Sequence, residues 1–280
     1  MSNHPDTIIN SDWFNKTKYI SNIPQPSYIS IDKQNIYSSI MPNIYIQVEP
    51  EIIINSEDYL INNYKNYHTI YTYNKNVLEK CPNAKFYIVG TTWIEKSEYN
   101  NIDVMKKQYK ISTLAGSKLL NNASGHQFRQ VIHHNQHLLK EYPITFFRSY
   151  AQIPHIQDYG NNPFLGLNNS STTPHNKYIL FEEFQFAIII ENSKQINYFS
   201  EKIMDCILTK TIPIYYGCPN ISDFFDTTGW IVLETFTLEE LLSKLSILND
   251  TYYNKYKDII EKNYNKAFDY ICIYTNINNS

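Results

Sequence analysis

Apolar positions along this chain fall into short blocks whose spacing switches between that of strands and that of helices. Residues 43–50, NIYIQVEP, read as a strand that stops at Pro50, because proline has no N–H to give to a ladder. Residues 57–65 read as a short helix, 68–73 as a strand, 74–81 as a helix and 84–90 as a third strand ending at Gly90. The β-α-β-α-β order predicts a parallel sheet. A second alternation follows: strand 109–116, helix 125–142, strand 143–149, short helix 177–184, strand 186–191, helix 198–210, strand 211–217 and strand 230–234. An amphipathic helix over 237–248 opens with a Thr cap and Glu240 three residues on, and a last helix spans 251–269.

The stretch 95–108 is charged and poor in aliphatic residues, which places a boundary between two sets of β/α units. The expected domains are 43–106 and 107–270, with residues 1–42 as an N-terminal arm or cover and 271–280 as a tail. Residues 155–175 form a turn-rich loop, long enough to suggest function. The class is α/β, with two Rossmann-like halves facing each other across a cleft.

Composition narrows the function. A net charge of −3 gives no reason to expect a nucleic-acid partner. Cys81, Cys206, Cys218 and Cys272 are scattered without a CxxC pair, so a zinc ribbon or disulfide framework is not expected. The N-terminus lacks a basic region followed by an apolar run, and no apolar run is long enough to span a bilayer. A soluble, cytoplasmic protein is expected. Lysine is the usual cation, so Arg129 and Arg148 stand out: a guanidinium offers a fork of donors suited to a diphosphate.

Four groups of residues are candidates for chemistry. Glu191, Asn192, Tyr198, Glu201 and Lys202 lie where strand 186–191 ends and helix 198–210 begins. In α/β sheets this is where phosphorylated ligands bind. Lys202 opposes the helix dipole, which a bound anion explains, although a solvated charged helix start reads the same way. Gly125 and Arg129 open helix 125–142 as a phosphate cradle or as an ordinary helix start with a surface Arg. Glu49, at a strand end before Pro50, fits a general base or an exposed strand-end carboxylate. His133 and His137 are four apart but lack an HExxH pattern, and surface histidines are the favoured reading. DxD, GxGxxG, Walker and GxSxG patterns are absent, so no metal site or nicotinamide cofactor is expected.

The run EEFQFAIIIENSKQINYFSEKIMDCILTKTIPIYYG resembles the C-terminal signature of the α-1,3/4-fucosyltransferases, glycosyltransferase family ten. Asn192, Tyr198, Glu201 and Lys202 fall on its motif positions. Upstream, VEP, HTIYTYNKN and VGTTWI are similar to the family's acidic motif and the sequences after it, so the resemblance covers residues 43–270 and is strongest in the C-terminal half. It implies a GT-B fold and inverting transfer from GDP-fucose to a glycan or glycoconjugate, with no cofactor. Glu49 would be the base. Arg129 would grip the diphosphate, Tyr198 and Lys202 would join it on the phosphates or fucose, and Asn192 and Glu201 would contact the fucose and ribose. The usual VDxxG after the arginine helix is replaced by TFFRSYAQ, which makes Arg148 a competitor for the diphosphate. The rival readings are the same fold with another nucleotide-sugar, and a non-catalytic glycan-binding relative.

Overall fold

The computed structural model describes residues 24, 27–36, 38–88, 90–149, 163 and 177–278. Apart from Pro163, the expected 155–175 loop lies outside the described residues, as does most of the expected N-terminal arm. The chain forms two compact units. The first takes in the described residues of Met1–Gly90, Gln195–Tyr198 and Cys272–Ser280, and the second those of Thr91–Lys194 and Phe199–Ile271.

In the first unit, β1 (Tyr28–Ile31), β2 (Asn43–Ile46), β3 (Thr69–Thr72) and β4 (Ala84–Phe86) form a parallel sheet in the order β1-β2-β3-β4. Helices α1 (Glu51–Ile54), α2 (Glu57–Asn63) and α3 (Lys75–Lys80) connect them. Side chains alternate across a strand, and both faces of this sheet are covered. Ile29, Ile44, Ile46, Tyr71, Tyr73 and Tyr87 pack on one face, and Tyr45, Leu60, Tyr67, Ile70 and Val77 on the other. Asn74 caps α3 by accepting from the N–H groups of Asn76 and Val77. The stretch expected as an arm thus supplies a strand: Tyr28–Ile31 pairs in register with Asn43–Ile46.

The second unit begins with α4 (Lys96–Tyr99) and continues through β5 (Gln108–Ala115), α5 (Ser124–His134), β6 (Ile144–Arg148), β7 (Phe184–Ile190), α6 (Glu201–Leu208), β8 (Ile212–Tyr216), β9 (Ile231–Val232), α7 (Leu238–Leu245), α8 (Tyr252–Lys255) and α9 (Lys257–Ala267). Its parallel sheet has the order β6-β5-β7-β8-β9. β7 is buried along its whole length, as its apolar run FQFAIII requires of a central parallel strand. Phe128, Ile132, Phe146, Phe186, Ile188, Ile212, Ile214, Leu241 and Leu245 make the core. Strand order reverses between β5 and β7, and in doubly wound sheets the ligand crevice lies there, at the C-terminal strand ends.

Several boundaries differ from the sequence reading. The helix expected over 125–142 stops at His134 and gives way to a 3-10 turn, Gln136–Leu139. Only a 3-10 turn, Lys177–Leu180, forms where a short helix was expected. The division between units falls after Gly90 rather than near residue 106. After α9 the chain returns to the first unit in α10 (Ile273–Asn278), inside the expected tail, where the Asn276 amide donates to the Ile88 carbonyl at 3.0 Å. Among the described residues, no helix is long and apolar enough to cross a membrane.

Candidate functional site

In the second unit the first turn of α5 lies directly against the end of β7. The Gly125 N–H donates to the Asn192 carbonyl at 3.2 Å. A Cβ on Gly125 would sit 1.6 Å from the Glu191 carbonyl oxygen, so only glycine permits this approach. One turn along α5, Arg129 donates to the Ile190 carbonyl at 2.6 Å and to Asn192 Oδ1 at 3.1 Å. His126 Nε2 lies 3.2 Å from the same Oδ1. Burial, then the nearby Arg129 charge, pushes His126 down to about 4, so the ring is neutral near pH 7. The guanidinium therefore ties α5 to the strand end and fixes the Asn192 side chain.

The second half of the site is the start of α6. Asn197 takes a left-handed conformation, φ 61°, and Ser200 an extended one just before α6 begins. Ser200 is the N-cap, its hydroxyl accepting from the Lys202 N–H. Glu191 is fully buried and closes the loop: Oε1 accepts from the Ser200 N–H at 3.0 Å and Oε2 from the Ser200 hydroxyl at 2.6 Å. Burial raises the Glu191 carboxyl, against the pull of Lys202, whose Nζ lies 3.7 Å from Oε2. The same ammonium sits 3.0 Å from Ser200 Oγ and 3.3 Å from Glu201 Oε1.

Glu201 is shared between two lysines. Lys177 Nζ lies 3.5 Å from Glu201 Oε1, 3.7 Å from Asp205 Oδ2 and 4.4 Å from the centre of the Trp93 ring. Burial opposes the Glu201 charge, but Lys202 and Lys177 outweigh it and hold the carboxyl at about 2. Asp205 goes the other way. Burial pushes it up to about 6, against Lys177 and against the hydrogen bonds that Thr92 Oγ1 and the Trp93 N–H give to Oδ1 at 2.7 and 2.8 Å. The arrangement is an ionised carboxylate and an ammonium held at the N-terminus of α6, beside the strand end that Gly125 lets α5 approach.

The sequence-derived candidates separate into two groups. Gly125, Arg129, Glu191, Asn192, Glu201 and Lys202 come together in the second unit. Arg148 ends β6 opposite Ala115 and so lies at the same C-terminal edge of that sheet, its N–H donating to the Pro163 carbonyl at 3.0 Å. Tyr198 does not start the helix, as the spacing had suggested. It belongs to the first unit, 2% exposed, with its ring 5.3 Å from that of Tyr73. Lys202 already has Glu191 and Glu201 as partners, so a cation at this helix start is explained without an anion. Glu49 is in the first unit, just past β2, and half-buried.

Sequence reading missed Ser200, Lys177, Asp205 and His126. Ser200 was legible as an N-cap two residues before Lys202. Lys177 carried no local signal, since the chain brings it to Glu201 from outside the motif. His133, read as a surface residue, is fully buried with its ring edge-on to Phe146, 5.4 Å between centres, whereas His137 is exposed. Phe146 comes from a strand the helix packs on, which helical spacing alone does not reveal. Among the described residues, no three His, Cys, Asp or Glu side chains are grouped so as to hold a metal ion.

Two Rossmann-like units of this kind make the GT-B type of α/β fold, the fold of solved glycosyltransferases. An α1,3-fucosyltransferase solved with GDP-fucose superposes with a TM-score of 0.50 at 17% identity, over 82% of this chain and 71% of that one. Staphylococcus aureus TarM, in a complex containing UDP, superposes at 0.55 with 14% identity, over 90% of this chain and 55% of that one. At the level of sequence, the profile of Glycosyltransferase family 10 (fucosyltransferase) C-term matches residues 127–269, half of the chain, and the chain belongs to this family. The α-(1,3)-fucosyltransferase FucT of Helicobacter pylori is 29% identical over 89 residues, a match spanning 31% of this chain and only 18% of that relative.

Proposed function

We propose that the protein is an inverting fucosyltransferase that moves fucose from GDP-fucose to a hydroxyl of a glycan or glycoconjugate. The observation that carries this reading is the meeting of two helix N-termini, α5 and α6, at the strand-order reversal, in the unit that holds the family match over residues 127–269. Backbone N–H groups at helix starts attract phosphate, and Gly125 lets the start of α5 close on the end of β7, where Glu191 holds the start of α6. As the bond to fucose breaks, negative charge grows on the departing diphosphate. Lys202, Arg129 and the start of α6 are assigned to stabilise that charge. Ionised Glu201 and the oriented Asn192 amide are assigned to the sugar hydroxyls of the donor, and Arg148 is the alternative cation for the diphosphate. Glu49 is assigned to deprotonate the acceptor hydroxyl, which then attacks the anomeric carbon from the face opposite the diphosphate. Tyr198 is assigned to support the first unit.

The reaction is tested by incubating the protein with GDP-fucose and a panel of glycans, then following GDP release and fucosylated product by mass spectrometry. Product with an inverted anomeric centre supports the proposal. Product from a UDP-sugar and none from GDP-fucose refutes the donor. Glu49→Gln should keep nucleotide binding while transfer falls about 10²- to 10⁴-fold, the usual share of a general base.

A further inference from the structure

Residues 1–42 were expected as an N-terminal arm or cover, yet Asp32 in that stretch holds the backbone that carries Glu49. The chain leaves β1 at Asp32 in a left-handed conformation, φ 55°, with its N–H still given to the Ile46 carbonyl at 3.1 Å. That turn swings the side chain over the end of the neighbouring strand. Oδ1 accepts from the Val48 N–H at 2.7 Å and Oδ2 from the Glu49 N–H at 2.9 Å. From the β3 side, the Tyr73 hydroxyl donates to the Glu49 carbonyl at 2.6 Å. Both polar groups of the Glu49 backbone are therefore held, one from β1 and one from just past β3. Tyr73 is itself fully buried and packed on Tyr198.

We infer that Asp32 and Tyr73 are positioning residues for Glu49, fixing its backbone at the edge of the first sheet so that its carboxylate presents one geometry. The inference rests on Glu49 being the base. A carboxylate spanning two consecutive backbone N–H groups sets their direction, as a single hydrogen bond does not. The site is demanding, which argues against an incidental contact. Burial is the main reason the Asp32 carboxyl is driven up to about 7, with the charges of Glu49 and Glu51 adding to it and the Val48 and Glu49 N–H groups opposing it. Tyr45, Tyr73 and Tyr87 also lie within its field. A small displacement of a reacting group costs up to about a hundredfold in rate, so a loosened clamp should be visible in turnover.

The test is a kinetic cycle on the full chain with GDP-fucose and the acceptor found active, using Asp32→Ala, Asp32→Asn, Tyr73→Phe, Glu49→Gln and the double variant Glu49→Gln/Asp32→Ala. Expected are a kcat about ten- to a hundredfold lower for Asp32→Ala, partial recovery in Asp32→Asn, which keeps one acceptor, and an unchanged Kd for GDP. The double variant should be no slower than Glu49→Gln alone, because a positioning residue acts only through the group it positions. A readout apart from turnover is the carboxyl-carbon NMR titration of Asp32, which should move to lower pH in Glu49→Gln. Asp32→Ala at wild-type kcat while Glu49→Gln is impaired would overturn the clamp and leave the base in place. Full activity in Glu49→Gln would instead remove the base on which the clamp rests. A further loss in the double variant, equal to that of Asp32→Ala alone, would also overturn the inference. If Asp32→Ala does not fold, Tyr73→Phe decides: it keeps the buried ring, and a wild-type kcat there refutes the clamp.

Discussion

Gly125→Ala is the sharpest perturbation of the second unit. Its backbone needs no glycine for φ, so the effect is steric alone. The new Cβ would meet the Glu191 carbonyl oxygen at 1.6 Å, the Glu191 carbonyl carbon at 2.8 Å and the Asn192 carbonyl carbon at 3.0 Å. Unstrained contacts need about 3.5 Å, so the start of α5 and the end of β7 must part by roughly 2 Å. Both partners are backbone, and no side chain can swing aside. The separation breaks the Gly125–Asn192 hydrogen bond and slackens those that His126 and Arg129 make to Asn192. Overpacking costs about 1–3 kcal/mol and each hydrogen bond about 1 kcal/mol, while alanine returns up to about 1 kcal/mol of helix entropy. The net is about 2–4 kcal/mol. With a urea m-value of about 2 kcal/mol/M, the midpoint of the second unit falls by about 1–2 M. Trp93 and Trp230, both in that unit, report it by fluorescence. A midpoint within about 0.2 M of wild type would refute the backbone contact.

Lys177→Met removes the cation shared by Glu201 and Asp205 and is expected to cost about 3–5 kcal/mol, the usual price of unpairing a buried charge; a loss below about 1 kcal/mol by urea unfolding would contradict the shared pair. The folded-state pKa of Asp205 is raised, so its contribution to stability is full below about 3.8 and is lost as pH rises through about 6. Asp205→Asn should therefore gain on wild type in urea midpoint between pH 4 and pH 7, and a gap that does not change with pH would count against it. Glu201 is lowered, so its contribution is present above about 4.5 and fades as pH falls toward 2; Glu201→Gln should lose most relative to wild type near neutrality. Arg129→Lys should weaken GDP binding and loosen Asn192 more than Arg148→Lys does, because lysine cannot span Ile190 and Asn192 together. The reverse order in a binding assay would move the diphosphate role to Arg148.

Much of the second unit was legible because its strands announce themselves. β7 and β8 are continuous apolar runs, and the loop between β7 and α6 carries the polar residues. What sequence spacing misjudged was where the helix begins. Tyr198, Phe199 and Ser200 continue a helical pattern on paper. The left-handed Asn197 and the Ser200 cap delay the helix to Glu201 and leave Tyr198 in the other unit. β1 was missed for a different reason. YISI is short, sits in a polar stretch and gains its stability from pairing with β2 rather than from its own pattern. Asp32 was lost with it. The ion pairs of Lys177 are long-range and leave no trace in local sequence.

The central claim is that the cradle formed by α5 and α6 holds the diphosphate of a guanosine nucleotide-sugar. Titration calorimetry of wild type and Lys202→Ala with GDP, UDP, ADP and CMP tests it directly. The account predicts that GDP binds tightest to wild type and that Lys202→Ala weakens it by about 1.5–3 kcal/mol, the range for a charge-assisted contact. Tighter binding of another nucleotide, or a Kd for GDP that Lys202→Ala leaves unchanged, would contradict it.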